Sequence, residues 1–203
     1  MAENNSRPVW LEINLENIKH NIQQIKKQLS AETQLMAVVK ADAYGHGLIP
    51  VAEATIDAGA DRLGVALPEE GKQLRNAGFT LPIHVLGEVL PSQIPFLIDF
   101  NLIPTIAKID SAERINQLAG EKYVNKKVHI KIDTGMGRIG VYPEQAIDFI
   151  KEINKFKNIT IEGLMTHFAR ADEKDKEYTF QQWEKFNYII RKLKDANIQI
   201  PVK

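Results

Sequence analysis

The chain has 203 residues, with 26 basic and 26 acidic side chains, five histidines and no cysteine. Zero net charge leaves no basic face for a nucleic acid or an anionic membrane surface, and the lack of cysteine excludes disulfides and thiolate metal sites. The length supports one sizeable core, no apolar run approaches a membrane span, and residues 1–8 read as a polar tail without the basic-then-apolar order of a signal peptide, so a cytoplasmic protein is expected.

Strand and helix patterns then alternate along the chain. A short strand over 9–14 precedes a helix over 16–29, and a strand over 35–40 precedes a helix over 48–58. Strand 62–66 leads into helix 68–77, and strand 82–87 into a helix starting near Pro91. Strand 103–107 is followed by a helix opened by Asp110 or Ser111 as N-cap. Strands 127–133 and 160–166 precede helices 143–154 and 178–196, and residues 198–203 read as the entry to a seventh strand. Repeated strand–helix units without a linker give a parallel sheet with helices outside, and six units after the first helix fit most of an eight-stranded barrel. No internal repeat or low-complexity tract is present.

Three stretches carry chemistry. In the first, the apolar run Leu35 to Val39 reads as a strand buried on both faces and ends at Lys40, where Gly45 and Gly47 allow a sharp path into the next helix. Barrel chemistry sits at the carboxyl ends of strands, and a partly desolvated lysine becomes a nucleophile able to form a Schiff base. Position alone equally describes a lysine returning to solvent. The second stretch alternates Val128, Ile130 and Ile132 with His129, Lys131 and Asp133, which places the polar face inward, and the glycine-rich turn after it aims Arg138 back over the strand end. A buried Lys131 beside Arg138 requires neutralisation or pairing. The third ends a strand at His167, an address that by itself fits a structural hydrogen-bonding histidine.

The strings around these residues resemble the bacterial alanine racemases. Lys40-Ala41-Asp42-Ala43-Tyr44-Gly45-His46-Gly47 is similar to the family's pyridoxal-phosphate lysine motif, Lys-Ala-(Asn/Asp)-Ala-Tyr-Gly-His-Gly. Lys131-Ile132-Asp133-Thr134-Gly135-Met136-Gly137-Arg138 and Thr166-His167-Phe168-Ala169-Arg170-Ala171-Asp172 resemble two further family strings, and Val9-Trp10-Leu11-Glu12-Ile13-Asn14 resembles the family start.

The resemblance implies a TIM-type (β/α)8 barrel. Residues 9–203 would form a partial cofactor-binding barrel of about six of the eight units, and strand 9–14 would belong with a C-terminal β domain absent from this sequence. It also implies pyridoxal phosphate held as an internal aldimine on Lys40, with Lys40 as one of two catalytic bases. Tyr44 would hydrogen-bond the cofactor phosphate. Arg138 would contact the cofactor phenolic oxygen and the substrate carboxylate, Lys131 would be carbamylated, and His167 would lie by the cofactor ring. The opposite base in the family is a tyrosine from the second domain of the other subunit in a head-to-tail homodimer, and it is not in this sequence. The implied reaction interconverts L- and D-alanine, supplying D-alanine for peptidoglycan, and the 203-residue chain alone is expected to be inactive and to bind the cofactor weakly at best.

Alternatives are another amino-acid racemase or a decarboxylase on the same barrel, and a non-catalytic pyridoxal-phosphate-binding protein. His20, His46, His84 and His129 show no paired metal-ligand spacing, so no metal is expected. Lys122, Lys126 and Lys127 read as a solvated loop, and Trp183, Phe186 and Ile190 as a core-facing helical stripe.

Overall fold

The computed structural model describes residues 9–203, so the polar tail expected over 1–8 lies outside the described residues. Short β-branched runs form six strands: β1 (Met36–Val38), β2 (Arg62–Val65), β3 (Ile83–Val85), β4 (Ile103–Ile106), β5 (Lys126–Lys131) and β6 (Ile159–Met165). They pair in chain order, all in parallel. Right-handed helices precede, separate and follow them: α1 (Leu15–Gln28) before β1, then α2 (Leu48–Asp57), α3 (Pro68–Asn76), α4 (Ile94–Asp99), α5 (Ile109–Glu121) and α6 (Ala146–Ile153) between strands, and α7 (Glu177–Asp195) after β6. Strand–helix alternation of this kind is the incomplete barrel expected from the sequence.

The sheet is curled. Neighbouring strands lie about 4.8 Å apart, so β2 and β6 would stand about 19 Å apart in a flat sheet. Arg62 on β2 nevertheless donates to Glu162 on β6 at 2.8 Å, and Thr105 on β4 reaches the Met165 sulfur on β6 at 3.4 Å. Outside this curl the core is aliphatic: Leu63, Val65, Ile83, Val85, Val128, Ile130 and Ile132 are fully buried beneath the helices. The face of β5 bearing His129 and Lys131 is buried too, as the alternation predicted. Entry to a seventh strand is also present, since Val202 bridges Gly163 in parallel and exchanges hydrogen bonds with Leu164 and Glu162 at 3.0 and 3.1 Å.

The strand expected over 9–14 would pair with a C-terminal β domain; here residues 9–14 form no strand, their backbone has no partner among the described strands, and Trp10 is 71% exposed. Asn14 instead caps α1, accepting from the amides of Glu16 and Asn17. β1 is an edge strand rather than one buried on both faces, and Val38 is 41% exposed. Neither Asp110 nor Ser111 caps α5, whose N-cap is Lys108; the Ser111 hydroxyl donates to Glu88. The Pro91 helix opens as a 3-10 turn, Pro91–Gln93, before α4. Among the described residues no helix is long and apolar enough to cross a membrane.

Candidate active site

The carboxyl ends of β1, β5 and β6 carry the residues singled out by sequence. β1 ends at Val38, and Val39 still donates to the Gly64 carbonyl at 2.8 Å. Lys40 then enters a left-handed turn, with φ of 52, 54, 52 and 57° at Ala41, Asp42, Ala43 and Tyr44. Left-handed backbone is unfavourable by about 1–2 kcal/mol per non-glycine residue. Four consecutive cases are therefore held from outside the turn as well as within it. The Ala43 amide donates to Val39 O at 2.9 Å, and the Asp42 side chain accepts from the Leu48 amide at 2.6 Å, capping α2. The two glycines, with φ of 83 and 94°, only complete a turn that non-glycine residues begin. Sequence reading assigned the whole path to Gly45 and Gly47. Tyr44 is exposed, its ring centroid 5.8 Å from the Lys40 amine.

At the end of β5, Lys131 is only 3% exposed. Burial lowers its pKa, the cations of Arg138 and Lys40 lower it further, and Asp133 opposes them. Burial would raise the Asp133 carboxyl, yet the backbone amides of Gly137, Gly135 and Arg138 hold it below its ordinary value. That carboxylate thus organises the Gly135–Gly137 turn. At Gly140, an added Cβ would lie 2.5 Å from the Asp133 nitrogen, so the chain folds back closely enough to require glycine. Arg138 itself is exposed, but near enough to depress both Lys131 and His167.

At the end of β6, Thr166 donates to Ile132 O at 2.9 Å and meets Thr134 at 2.8 Å, joining the β5 and β6 loops. His167 is exposed, and its pKa is lowered by partial burial and by Arg138, Lys131 and Lys40. Sequence reasoning missed the residue beneath both loops. Gln182 of α7 is fully buried, donates to Thr134 and to the His167 carbonyl, and accepts from the Ala169 amide. Tyr178, four residues earlier, donates to Gly135 O at 2.7 Å. The expected stripe is thus rotated: Gln182, Ile189 and Leu193 face inward, Phe186 and Ile190 are partly buried, and Trp183 is 48% exposed. The signal available in the sequence was a tyrosine and a glutamine at i and i+4 beside an aliphatic face.

Deeper in the curl, His84, His129 and Glu162 bring their ligand atoms within 4.8 Å of one another, although no spacing in the sequence links them. The central position is already cationic: Arg62 Nη1 lies 3.0 Å from His84 Nε2 and 2.8 Å from Glu162, and Lys127 donates to Glu162 at 2.9 Å. Burial, then the neighbouring His129 and Arg62, push His84 down to about 3, so it stays neutral. Glu162 is pulled down to about 2 despite burial, because Lys127, Arg62 and His129 all bond it. Lys126 and Lys127 therefore do not form a solvated loop. They open β5, and Lys126, 4% exposed, is pushed down to about 8 by burial and by Arg75.

Two cavities of about 640 and 650 Å³ lie along α7, one lined by Ile190, Leu193, Ile198 and Ile200 and the other by Ile147, Tyr188 and Arg191. A third, of about 470 Å³, runs under the β1 edge between Ile18, Val38 and Val51 and reaches Val39, Ala43 and Tyr44 of the turn after Lys40.

Lys131 and His167 both feel the charges of Lys40 and Arg138, and His167 feels that of Lys131 as well. The one carboxylate named among them, Asp133, is engaged by backbone amides. Such a rim has positive charge to spare, an amine within it and a guanidinium fork. It suits an anionic ligand with a carbonyl and a carboxylate-bearing substrate.

Comparison with known proteins gives the family of the chain. Residues 13–203 match the family model described as alanine racemase, N-terminal domain. The alanine racemase of Halothermothrix orenii is 54% identical over 198 residues, covering 98% of this chain and 52% of the relative. The structure of the Clostridium difficile alanine racemase in complex with cycloserine superposes with a TM-score of 0.93 at 40% identity, covering 98% of this chain and 55% of that one. A histidine racemase from Leuconostoc mesenteroides superposes at 0.79 with 30% identity, over 85% of this chain and 46% of its own. The chain spans about half the length of the relatives it matches. With a family model covering nearly all its described residues and a partial barrel of the same shape, the chain belongs to the alanine racemase N-terminal domain family.

Proposed function

We propose that this chain is the cofactor-binding part of a pyridoxal-phosphate-dependent alanine racemase, acting as a head-to-tail homodimer in the cytoplasm. The observation that carries the reading is the convergence of Lys40, Lys131, Arg138 and His167 on one strand-end rim. Its positive charge fits a phosphate- and phenolate-bearing cofactor. Bound pyridoxal phosphate supplies an electron sink that makes the substrate Cα–H acidic.

The chain's own residues supply the rest. Lys40 would hold the cofactor through its amine and, as a free amine, would move a proton at Nζ on one face of Cα. Tyr44 binds the phosphate. Arg138 offers a planar fork to the substrate carboxylate and a donor to the cofactor phenolic oxygen. His167 stands beside the ring and helps to place it. The base for the opposite face comes from the second subunit. Among the relatives, the histidine racemase keeps open a second reading, in which the same rim serves a larger amino acid.

Lys131 is proposed as a carbamate. Burial and its cationic neighbours favour the neutral amine, the form that takes up carbon dioxide, and the resulting anion would pair with Arg138. Carbon-13 NMR of the enzyme in labelled bicarbonate should show a carbamate signal that Lys131→Ala removes; an unmodified wild type would end the idea.

The enzyme carrying this chain should interconvert L- and D-alanine. Arg138→Lys keeps the charge but loses the fork, so kcat/KM should fall about 10- to 100-fold, with both kcat and KM affected. No alanine conversion by the wild type would refute the reading, and near-normal kinetics for Arg138→Lys would remove that residue from the site. Turnover of another amino acid in place of alanine would favour the second reading.

A further inference from the structure

We propose that Glu70 is a positioning residue for Lys40, its carboxylate holding in place the left-handed turn on which the lysine stands. The inference rests on the proposed role of Lys40. Glu70 lies in the first turn of α3, after the neighbouring strand β2. One of its oxygens accepts from the Ala41 amide at 2.6 Å. The other accepts from the amides of Ala66 and Leu67 at 2.8 and 3.0 Å. One carboxylate thereby ties the first left-handed residue after Lys40 to the start of α3, where a carboxylate is favoured by the helix dipole.

The turn needs this tie. Ala41 and Ala43 carry no side-chain donor or acceptor, and the Asp42 side chain is committed to the Leu48 amide. Consecutive L-residues with φ near +55° persist only where the surroundings over-determine them. Without Glu70 the Ala41 amide loses its partner, the turn can relax towards right-handed backbone, and Lys40 leaves its place at the end of β1.

Glycine separates this role from that of an ordinary helix cap. Left-handed backbone is free for glycine, so Ala41→Gly with Ala43→Gly should restore the turn without Glu70. Those glycines cannot replace the acceptor lost by the Ala66 and Leu67 amides. In the full enzyme titrated with pyridoxal phosphate, Glu70→Ala should weaken cofactor binding about tenfold or more and shift the pH at which the bound-cofactor absorbance titrates. The combined Glu70→Ala, Ala41→Gly, Ala43→Gly protein should return to within about threefold of wild type in binding, and its thermal stability should remain lowered by the lost α3 cap. Unchanged binding in Glu70→Ala, or no recovery with the glycines, would overturn the proposal.

A second measurement decides the matter even if Lys40 does not hold the cofactor. In the cofactor-free protein, hydrogen exchange at the Gly47 amide, which closes the turn by donating to Asp42 O at 2.9 Å, should be slow in wild type, fast in Glu70→Ala and slow again in the glycine variant. Equal protection in wild type and Glu70→Ala would sink the clamp independently of any function assigned to the lysine.

Discussion

Replacing Lys40 by alanine is expected to lower turnover at least about a thousandfold in the enzyme that carries this chain, and to abolish the absorbance of covalently held cofactor. The substitution removes two things at once, the amine that holds the cofactor and the group that moves the proton on one face of Cα. Lys131 is the rival, since it lies on the same rim and burial lowers its pKa. It is the less suitable holder, being 3% exposed and hemmed in by Asp133 and Arg138, whereas Lys40 is half-buried at an open strand end. Steady-state racemisation and an absorbance spectrum check the expectation. Retained turnover in Lys40→Ala would mean that another group does this work. Because the second base is assigned to the second domain of the other subunit, outside these 203 residues, the isolated 203-residue chain should show no alanine conversion even with Lys40 intact.

The second large effect concerns stability. Glu162→Ala should destabilise the fold by about 3–5 kcal/mol, the penalty typical of leaving one partner of a buried ion pair uncompensated. Arg62 and Glu162 side chains are each only 11% exposed, and their contact joins β2 to β6 across the interior. Lys127 would lose its partner as well, though it is largely solvated and adds little.

The same cluster predicts an acid limit. His84 titrates near 6.5 when unfolded but near 3 when folded, and Glu162 near 4.5 against about 2. In both windows the unfolded chain binds more protons, so stability rises with pH there. It should therefore be full above about pH 6.5 and fall progressively as the pH drops towards 3. Urea unfolding between pH 7 and 4 measures both claims. A flat profile, or a Glu162→Ala penalty below about 1 kcal/mol, would contradict the assigned network.

What could be read from sequence, and what could not, divides by interaction range. The strand–helix order was legible because apolar periodicity is local, and most boundaries fall within one or two residues of those expected. Residues 9–14 carry a strand pattern without strand pairing, because a strand requires a partner as well as a pattern and the partner expected for this one is a C-terminal β domain. The turn after Lys40 was read through its glycines, because left-handed alanines are unfavourable by intrinsic preference. The hydrogen bonds that the Glu70 and Asp42 carboxylates accept from backbone amides reveal why they are tolerated. Trp183 was placed inward on hydrophobicity, whereas Gln182 wins that position by satisfying three polar groups of two loops. The cluster of Arg62, His84, His129 and Glu162 spans four strands, so no linear spacing discloses it.

Lys40, Lys131, Arg138 and His167 were all named from short strings, and the structure brings them to one rim. Their neighbours Asp133, Thr134, Thr166, Tyr178 and Gln182, which shape the loops, were not singled out for that part. Loop-shaping contacts depend on how α7 rotates against the β5 and β6 ends, and helix periodicity alone leaves that angle uncertain by about one residue, or 100°.

Borohydride reduction of the enzyme loaded with pyridoxal phosphate, followed by peptide mapping, tests the central claim most directly, because it records which amine holds the cofactor without depending on turnover. The account predicts one labelled peptide, containing Lys40 in the sequence Val39-Lys40-Ala41-Asp42-Ala43-Tyr44, and no label after Lys40→Ala. Label on Lys131, or label that survives the loss of Lys40, would contradict it.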